Sequence, residues 1–214
     1  MEKSQEIPAR IEGVLIEHRG RRPQVHESAY VAPTAVLCGD VRVGADARIL
    51  FNAVVTAEDG SVELGERVVV MEHALVRGRA AHPVVIEHDV LIGPHAHVNG
   101  VRIGAEAFVA TGAALFPGAT IGARAEVRIH GVVHVNSTVG DGEVVPIGWV
   151  VVGEKMLPPA YHADIWDIQE KLDFPGTTFG LPRDTPDLMA EATRRYAESF
   201  GRHRGDRVLP ESDD

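Results

Sequence analysis

The sequence predicts an all-β chain whose body is a parallel β-helix, followed by C-terminal α-helices. The first observation behind this prediction is a branched aliphatic residue at every sixth position in the second half of the chain. The positions of this run are Ile103, Val109, Leu115, Ile121, Val127, Val133, Val139, Val145 and Val151. A period of six fits neither an α-helix nor a flat strand. It is typical of hexapeptide repeats, in which each repeat forms one side of a triangular coil.

Small residues in a fixed register are the second observation. Alanine, glycine or serine stands two residues before most of the aliphatic positions, at Ala107, Ala113, Ala119, Ala125, Gly131 and Ser137. The same period continues upstream in shorter runs, over residues 31–55, 64–76 and 86–98. The breaks between them hold insertions at residues 57–61 and 77–83, which we expect on loops of one face of the solenoid, often the working face. Three hexapeptides make one triangular coil, so the chain has between six and seven coils.

We divide the chain into an N-terminal strand and turn cap (residues 1–27), the β-helix (28–153) and a C-terminal helical extension with a tail (154–214). The cap contains a short strand over residues 11–17 and a turn over residues 19–23. In the extension, Ile165, Ile168 and Leu172 share one face of a predicted helix that Pro175 and Gly176 should end. A second helix is predicted over residues 187–202, and residues 211–214 are predicted to be disordered.

Composition agrees with a narrow aliphatic interior and excludes some functions. The 214 residues are 44% hydrophobic but only 5% aromatic, and a formal net charge of −10 argues against a nucleic-acid partner. Cys38 is the one cysteine, so no disulfide forms within the chain, which suits a reducing cytosol. No stretch is long and apolar enough for a membrane span, and residues 1–10 do not read as a signal peptide. These features predict a cytoplasmic protein without a membrane partner.

Residues 28–41, Ser-Ala-Tyr-Val-Ala-Pro-Thr-Ala-Val-Leu-Cys-Gly-Asp-Val, resemble the opening coils of the γ-class carbonic anhydrases. Residues 51–55 and 92–100 resemble later parts of the same family, and the resemblance covers about residues 11–172. It implies a left-handed β-helix, a homotrimer, and a metal held by three histidines at each subunit boundary. Hexapeptide acyltransferases and non-catalytic relatives share this fold, so the fold does not decide the function.

The metal ligands that the resemblance implies are replaced in this chain. The family's first ligand ends a segment resembling Gln-Asp-Asn-x-x-x-His, and Arg77 stands in its place. The other two begin and end a segment resembling His-Asn-x-x-x-His, and here these places hold Pro94 and Asn99. Proline offers no donor, asparagine is a poor zinc ligand, and a guanidinium repels a dication. We therefore predict little or no carbonic anhydrase activity.

Seven of the 11 histidines nevertheless lie between residues 73 and 134. His73 and His95 occupy the same place in successive coils, so we expect them to stack at about 4.8 Å, the strand spacing. A neighbouring column, one residue past the inward aliphatics, holds Arg77, Asn99, Phe116 and His134. An alternative is that the histidines are only surface or interface residues at turns, because histidine tolerates left-handed backbone better than most residues.

Two functional hypotheses follow from this neighbourhood. In the first, a pocket between subunits binds a small anion or carboxylate, with Arg77 as anchor and His95, His97 and Asn99 as hydrogen-bond donors. In the second, His73, His95 and His97 form a rebuilt zinc site. In that case Glu58 or Glu72 would accept the proton. Two further alternatives are a hexapeptide acyltransferase, with His134 or His130 as catalytic histidine, and a non-catalytic scaffold.

Overall fold

A computed structural model describes residues 13–210 as a left-handed parallel β-helix with a C-terminal helical extension. The strands are β1 (Val14–Glu17), β2 (Gln24–Val25), β3 (Tyr30–Val31), β4 (Val36–Val43), β5 (Arg48–Ile49), β6 (Val54–Leu64), β7 (Val69–Val70), β8 (Leu75–Gly78), β9 (Val84–Ile86), β10 (Leu91–Ile92), β11 (His97–Asn99), β12 (Arg102–Ile103), β13 (Phe108–Val109), β14 (Ala114–Leu115), β15 (Thr120–Ile121), β16 (Glu126–Val127), β17 (Val132–Val133), β18 (Thr138–Val139), β19 (Val144–Val145), β20 (Val150–Val152), β21 (Lys155–Leu157) and β22 (Arg207–Val208). The helices are α1 (His162–Gln169), α2 (Phe174–Phe179) and α3 (Leu188–Phe200), with 3₁₀ turns at Pro159–Tyr161 and Gly201–Gly205.

The coils stack into three faces. The first face is a seven-stranded parallel sheet with the order β19-β16-β13-β10-β7-β5-β3. The second face contains β8, β11, β14, β17 and β20, and the third contains β9, β12, β15 and β18. Because β4 and β6 cross the corner between the second and third faces without a break, these two faces form one 15-stranded sheet.

The interior confirms the predicted repeat. All nine aliphatic positions of the long run are buried, and Leu115, for example, is 0% exposed. Each such side chain contributes about 1.5–3 kcal/mol when fully buried. The small residues of the repeat, such as Ala113 and Ala125, are also fully buried, where larger side chains would meet the opposite wall. The interior is therefore an aliphatic stack that serves stability and leaves chemistry to the outward side chains.

The two insertions do not form simple loops. The first, at residues 57–61, lies within the 11-residue strand β6, where Ala57 pairs with Gly39 and Val62 with Val41, so residues 58–61 bulge opposite Asp40. The second begins in β8, which ends at Gly78, and then turns through residues 79–82, where the backbone of Arg79 bonds that of His82 in both directions. The two insertions therefore widen the corner between the second and third faces as a bulge within β6 and a turn after β8.

The N-terminal strand belongs to the stack. β1 pairs in parallel with β4, Val14 opposite Val36, and so extends the β-helix by part of a coil below the predicted start. The predicted strand began at residue 11, and residues 11 and 12 lie outside the described part of the chain. Residues 1–10 and the tail at 211–214, which was predicted to be disordered, also lie outside the described part of the chain.

The C-terminal extension returns along the second face towards the start of the solenoid. After α1, a separate helix α2 begins, so the expectation that Pro175 and Gly176 end a helix was wrong. The Asp173 side chain accepts a hydrogen bond from the Gly176 amide at 3.2 Å, and proline in the first turn suits a helix start. The predicted second helix is present as α3. Beyond it, β22 pairs with β1 in antiparallel register. Within the described residues, no helix combines the length and apolar character that crossing a membrane requires.

Candidate functional site

Arg77 and Asn99 are direct neighbours on the second face. They lie opposite each other on the parallel strands β8 and β11, and Thr56 lies opposite Arg77 on β6. Phe116 and His134 continue the column, with ring centroids 6.4 Å apart. The predicted column is therefore confirmed. It points away from the aliphatic interior towards the C-terminal extension.

Arg77 has a charge partner but lacks a hydrogen-bond partner at its inner nitrogen. Its Nε is buried and forms no hydrogen bond, and Glu58 Oε1 lies 3.8 Å away, beyond hydrogen-bond distance. The guanidinium also lies over the ring of Phe200, with Cζ 5.8 Å from the centroid. The side chain is 32% exposed, so atoms other than Nε reach the surface.

His97 and Asn99 lie on the same strand as a half-buried pair of side chains. Burial, and then the nearby charge of Arg77, lowers the pKa of His97 below its ordinary value. The imidazole is therefore neutral at neutral pH. Asn99 Oδ1 is buried without a hydrogen-bond partner. Arg77, His97 and Asn99 form a polar group, which we call the Arg77 group, with unused hydrogen-bonding capacity.

His73 and His95 lie apart from this group, at the corner between the first and second faces. Their rings stack with centroids 4.9 Å apart and an interplanar angle of 1°, which confirms the predicted stacking. Both have left-handed backbone, with φ of 60° and 58°, as does His130 at 54°. Gly112 continues the column, because a Cβ there would meet the His130 ring. These histidines fill the turn positions that the alternative interpretation gave them.

The stacked corner does not bring His73, His95 and His97 together around one point. A metal ion lies in the plane of an imidazole ligand, and two parallel rings this far apart do not share such a point without rotating. Among residues 13–210, these three do not form a group of metal-donor atoms within 4.8 Å of one another. Glu72 lies at the same corner, where its carbonyl accepts a hydrogen bond from the His95 amide at 3.0 Å.

Glu58, the other predicted proton acceptor, belongs to a different cluster. Its Oε2 is 2.9 Å from His203 Nε2, and its Oε1 accepts a hydrogen bond from Thr56 at 3.3 Å. His203 also contacts Asp206, which in turn contacts His18 and Cys38. We call His18, Cys38, His203 and Asp206 the clasp cluster.

Sequence reasoning missed the clasp cluster. Its four residues come from the N-terminal turn, the first full coil and the end of the extension, and no motif spacing connects them. The His203-x-x-Asp206 spacing and the lone cysteine were the available signals, and neither is specific. Burial, and then the carboxylates of Asp206 and Glu58, raises the pKa of the Cys38 thiol to about 11.

His134 lines a second pocket on the same face. A cavity of about 430 Å³ lies between His134, the helix α1 residues Trp166 and Gln169, and Phe174 and Pro175 of α2. Burial lowers the pKa of His134, and its Nδ1 is buried without a hydrogen-bond partner. His130, the other nominated catalytic histidine, lies at an exposed corner outside this pocket.

Comparison with known proteins gives related sequences and one family model. The model of the hexapeptide repeat of succinyl-transferase matches residues 83–117. The mitochondrial gamma carbonic anhydrase 1 of Arabidopsis thaliana is 28% identical over 130 residues, which cover 58% of this chain and 47% of the relative. A carbonic anhydrase of Geobacillus kaustophilus is 25% identical over 51% of this chain and 60% of its own. The chain thus spans about half the length of the curated relatives it matches.

Solved structures agree on the fold. A hexapeptide transferase family protein from Anaplasma phagocytophilum superposes with a TM-score of 0.59 at 22% identity, covering 88% of this chain and 97% of the other. At this identity the likeness shows the fold alone. The chain is thus similar to hexapeptide-repeat proteins in its repeat and its fold, and to γ-class carbonic anhydrases in sequence.

Proposed function

We propose that this protein is a homotrimeric γ-carbonic-anhydrase-like protein that binds a small anion or carboxylate at the Arg77 group, in place of the family's zinc. The observation that carries the proposal is that the Arg77 guanidinium has hydrogen-bonding capacity without a partner. Its guanidinium has no carboxylate within hydrogen-bond distance among the described residues, and it stands beside the polar side chains of His97 and Asn99. A carboxylate can accept two parallel hydrogen bonds from a guanidinium, whereas a zinc ion is repelled by its positive charge.

The pocket is completed by a neighbouring subunit in this proposal. One side of the Arg77 group is covered by the chain's own α3, while the other side opens towards the His73–His95 corner, whose rings are exposed. His95 is placed to reach an anion only from this open side. A second subunit packed along the corner would close the pocket and exclude water, which strengthens a guanidinium–carboxylate contact. The unpaired thiol of Cys38 is compatible with the cytoplasmic location that we propose.

Binding of acetate and of bicarbonate, measured by calorimetry on the metal-free protein, tests the proposal. Arg77→Ala should weaken binding by about tenfold or more, since a hydrogen bond to a charged group contributes about 1.5–3 kcal/mol. Arg102→Ala is the matched control, because Arg102 is an exposed arginine on the third face. Equal affinities of wild type and Arg77→Ala, or no binding of either anion, would overturn the proposal and leave the scaffold alternative.

The pH dependence separates anion binding from a rebuilt metal site. A bound anion favours the charged form of His97, so anion affinity should rise as the pH falls through the His97 pKa. Because burial and Arg77 lower that pKa in the free protein, the affinity should level off only at a pH below about 6.5, the ordinary histidine value. His97→Gln should flatten the profile. A metal at His73, His95 and His97 would show the opposite trend, because protons compete with metal for imidazole.

Acyl transfer is a second candidate, favoured by the His134 pocket. A neutral histidine beside a cavity suits a general base, and His134 has such a cavity at its side. The ring of Phe174 lies 6.0 Å from His134 and would have to leave room for an acyl donor. Acetyl-coenzyme A hydrolysis that His134→Ala abolishes, with His130→Ala unaffected, would favour this candidate over the first.

A further inference from the structure

The clasp cluster collects four metal-donor side chains at the start of the solenoid. His18, Cys38, His203 and Asp206 each offer one donor atom, and these atoms all lie within 4.8 Å of one another. His18 is 3% exposed and Cys38 is 5% exposed. None of these residues belongs to the Arg77 group or replaces a ligand of the family's zinc site.

Each donor is held in place by local structure. The two-residue turn Arg19-Gly20, with both φ angles positive, closes hydrogen bonds between His18 and Arg21 and directs His18 towards the second face. Cys38 lies on β4, in the column that continues to Thr56. The 3₁₀ turn ahead of β22 places His203 and Asp206 together, since the Asp206 amide donates to the His203 carbonyl at 3.0 Å.

The contacts within the cluster converge on the Asp206 carboxylate. Its Oδ1 lies 2.6 Å from His18 Nδ1, and its Oδ2 lies 2.7 Å from His203 Nδ1 and 3.8 Å from Cys38 Sγ. The two imidazoles stack with centroids 4.3 Å apart and an interplanar angle of 25°. A thiol and two imidazole nitrogens therefore surround one carboxylate, in a pocket where Cys38 and His18 are shielded from water.

An outer shell of the kind found around metal sites is also present. His203 Nε2, the nitrogen on the far side of the ring from Asp206, lies 2.9 Å from Glu58 Oε2. Glu58 is held by Thr56, whose hydroxyl donates to Oε1. A metal-binding histidine usually donates its second ring N–H to a carboxylate, which fixes the tautomer that leaves the first nitrogen free to bind.

We propose that His18, Cys38, His203 and Asp206 bind a zinc ion that fastens the C-terminal extension to the first coil. Two imidazoles, one thiolate and one carboxylate are a donor set that zinc accepts in tetrahedral geometry, and four protein ligands define a closed, structural site. The inference goes beyond the proposed anion site and does not depend on it.

The donor atoms are already close together, but the site must rearrange to take the ion, because the His18 and His203 rings are stacked and have to rotate to point at one metal. Zinc bonds of about 2.0–2.2 Å to nitrogen and oxygen place tetrahedral ligand atoms roughly 3.3 Å apart. The Asp206 oxygens are closer than this to the two imidazoles, at 2.6 and 2.7 Å, while the Cys38 sulfur at 3.8 Å already has the longer separation that a thiolate ligand requires. The Asp206 oxygens must therefore move away from the imidazole nitrogens by about 0.6–0.7 Å, and the His18 and His203 rings must rotate out of their stack.

The site would join the two ends of the described chain. Asp206 directly precedes β22, which pairs with β1, and Arg207 forms an ion pair with Glu17 across that pair. His18 directly follows β1. An ion bound here holds the extension over the second face and keeps Phe200 over Arg77. Because unfolding would separate the ligands, metal binding would also stabilise the fold.

Zinc content and cobalt spectroscopy on the full chain test the proposal. The purified protein, loaded with zinc and dialysed, should retain about one ion per chain by elemental analysis, as a four-ligand site implies. Cobalt in place of zinc should give the intense visible absorption of a tetrahedral centre and a thiolate-to-cobalt charge-transfer band. Asp206→Asn and Cys38→Ser should lose the ion, and Cys38→Ser should lose the charge-transfer band. Glu58→Gln should keep the stoichiometry and weaken the affinity by about 10–100-fold.

His95→Ala and His97→Ala are the matched controls, since both replace histidines outside the cluster. They should keep the ion. Asp206→Asn changes a side chain at the end of the extension, so a circular dichroism spectrum with the wild-type β signal excludes misfolding as the cause of metal loss. A wild-type protein that retains no zinc would overturn the proposal and leave a hydrogen-bonded His–Asp–His network. Zinc that survives in Cys38→Ser and Asp206→Asn but is lost in His95→Ala would also overturn it.

Discussion

Arg77, Pro94 and Asn99 stand at the positions where the resemblance to γ-class carbonic anhydrases predicts metal ligands. Arg77 and Asn99 are paired neighbours on β8 and β11. Pro94 serves the corner, where its carbonyl accepts a hydrogen bond from the Gly112 amide at 2.9 Å. None of the three provides a zinc donor of useful affinity. The outward polar column that holds Arg77 and Asn99 therefore offers hydrogen-bonding groups and no imidazole or thiolate at these positions.

Carbon dioxide hydration tests this conclusion. We expect the zinc-loaded protein to stay at the uncatalysed background rate in a stopped-flow pH assay, because no zinc-bound water is generated at the Arg77 group. The triple variant Arg77→His, Pro94→His, Asn99→His restores the three inherited ligand types and serves as a gain-of-function comparison. Hydration by the wild type at rates near those of genuine zinc enzymes would show that the replaced ligands are not needed.

Gly39 illustrates a residue whose role comes from backbone geometry. It lies at the register shift of β4 with φ of 83°, and a Cβ there would meet the carbonyl oxygen of Ala57 well inside van der Waals contact. Gly142 also has left-handed backbone, with φ of 68°, but nothing lies within 4 Å of an added Cβ. We expect Gly142→Ala to lose about 1–2 kcal/mol of unfolding free energy from backbone strain alone.

Gly39→Ala should lose clearly more, because the neighbouring strand must also move. Urea unfolding of both variants measures the difference. Equal losses would mean that the sheet corner yields without cost, and the bulge would then not be a rigid part of the fold.

At the scale of elements, aromatic side chains hold the extension on the solenoid. Rings follow one another from His97 through Phe116, His134, Phe174, Phe179, Tyr196 and Phe200 to His203, with neighbouring centroids 5.5–6.4 Å apart. Arg79 lies over the Tyr196 ring at 5.0 Å and donates to the Thr178 carbonyl at 2.8 Å. α3 is therefore attached through a few specific contacts.

Tyr196→Ala should loosen α3 while the coils remain intact. The change removes ring contacts worth about 0.5–1.5 kcal/mol each and the hydroxyl's hydrogen bond to the Thr178 carbonyl. Hydrogen–deuterium exchange should accelerate across α3 and stay unchanged in β10–β16. Met189→Ala is the control on the same helix, because Met189 is exposed. Unchanged exchange in α3 would show that these contacts do not hold it.

The coils follow a six-residue repeat and the extension does not, which explains why the sequence predicted the coils well and the extension only in part. In the coils, an aliphatic residue enters the core at every sixth position, so the sequence pattern also fixes the strand register. Val70 and Ile92 are aligned in this register, and the stacking of His73 and His95 was therefore predicted correctly. The extension has no such period. Proline occurs both in the first turn of helices and just beyond their ends, and the sequence alone predicted that Pro175 ends a helix. Only the Asp173 cap shows that Pro175 lies in the first turn of α2. The clasp cluster depends on where the extension packs against the first coil, and no local sequence pattern encodes that position.

At the scale of the whole molecule, the two ends of the described chain close on each other. β1 pairs with β4 on one side and with β22 on the other, so the first coil does not present a bare strand along the second face. Such cover protects against edge-to-edge association. The insertion-bearing corner is also in contact with the extension, through Arg79 and Thr178. The first face is a separate seven-stranded sheet, distinct from the second face that the extension covers.

The first face supports the proposed trimer and yields its sharpest test. The outward side chains on its seven strands are Tyr30, Arg48, Val69, Leu91, Phe108, Glu126 and Val144, and the exposed fractions of Leu91 and Val144 are 36% and 47%. The five apolar side chains form a stripe that Arg48 and Glu126 interrupt, and such a surface on a sheet suits packing around a three-fold axis. The sequence alone predicts a trimer built on the insertion-bearing faces, but the corner between them is in contact with the extension through Arg79, so we propose the first face instead.

We expect light scattering after size-exclusion chromatography to give three times the mass of one chain at micromolar concentration. Leu91→Glu combined with Val144→Glu should yield monomers, because two carboxylates on the stripe would have to be buried without partners. Thr120→Glu is the matched control, since Thr120 is an exposed outward residue on the third face. The anion site adds a second readout: if a neighbouring subunit completes the Arg77 group, the monomeric variant should also bind acetate more weakly. A wild-type protein that is a stable monomer at this concentration would contradict both the trimer and the shared pocket.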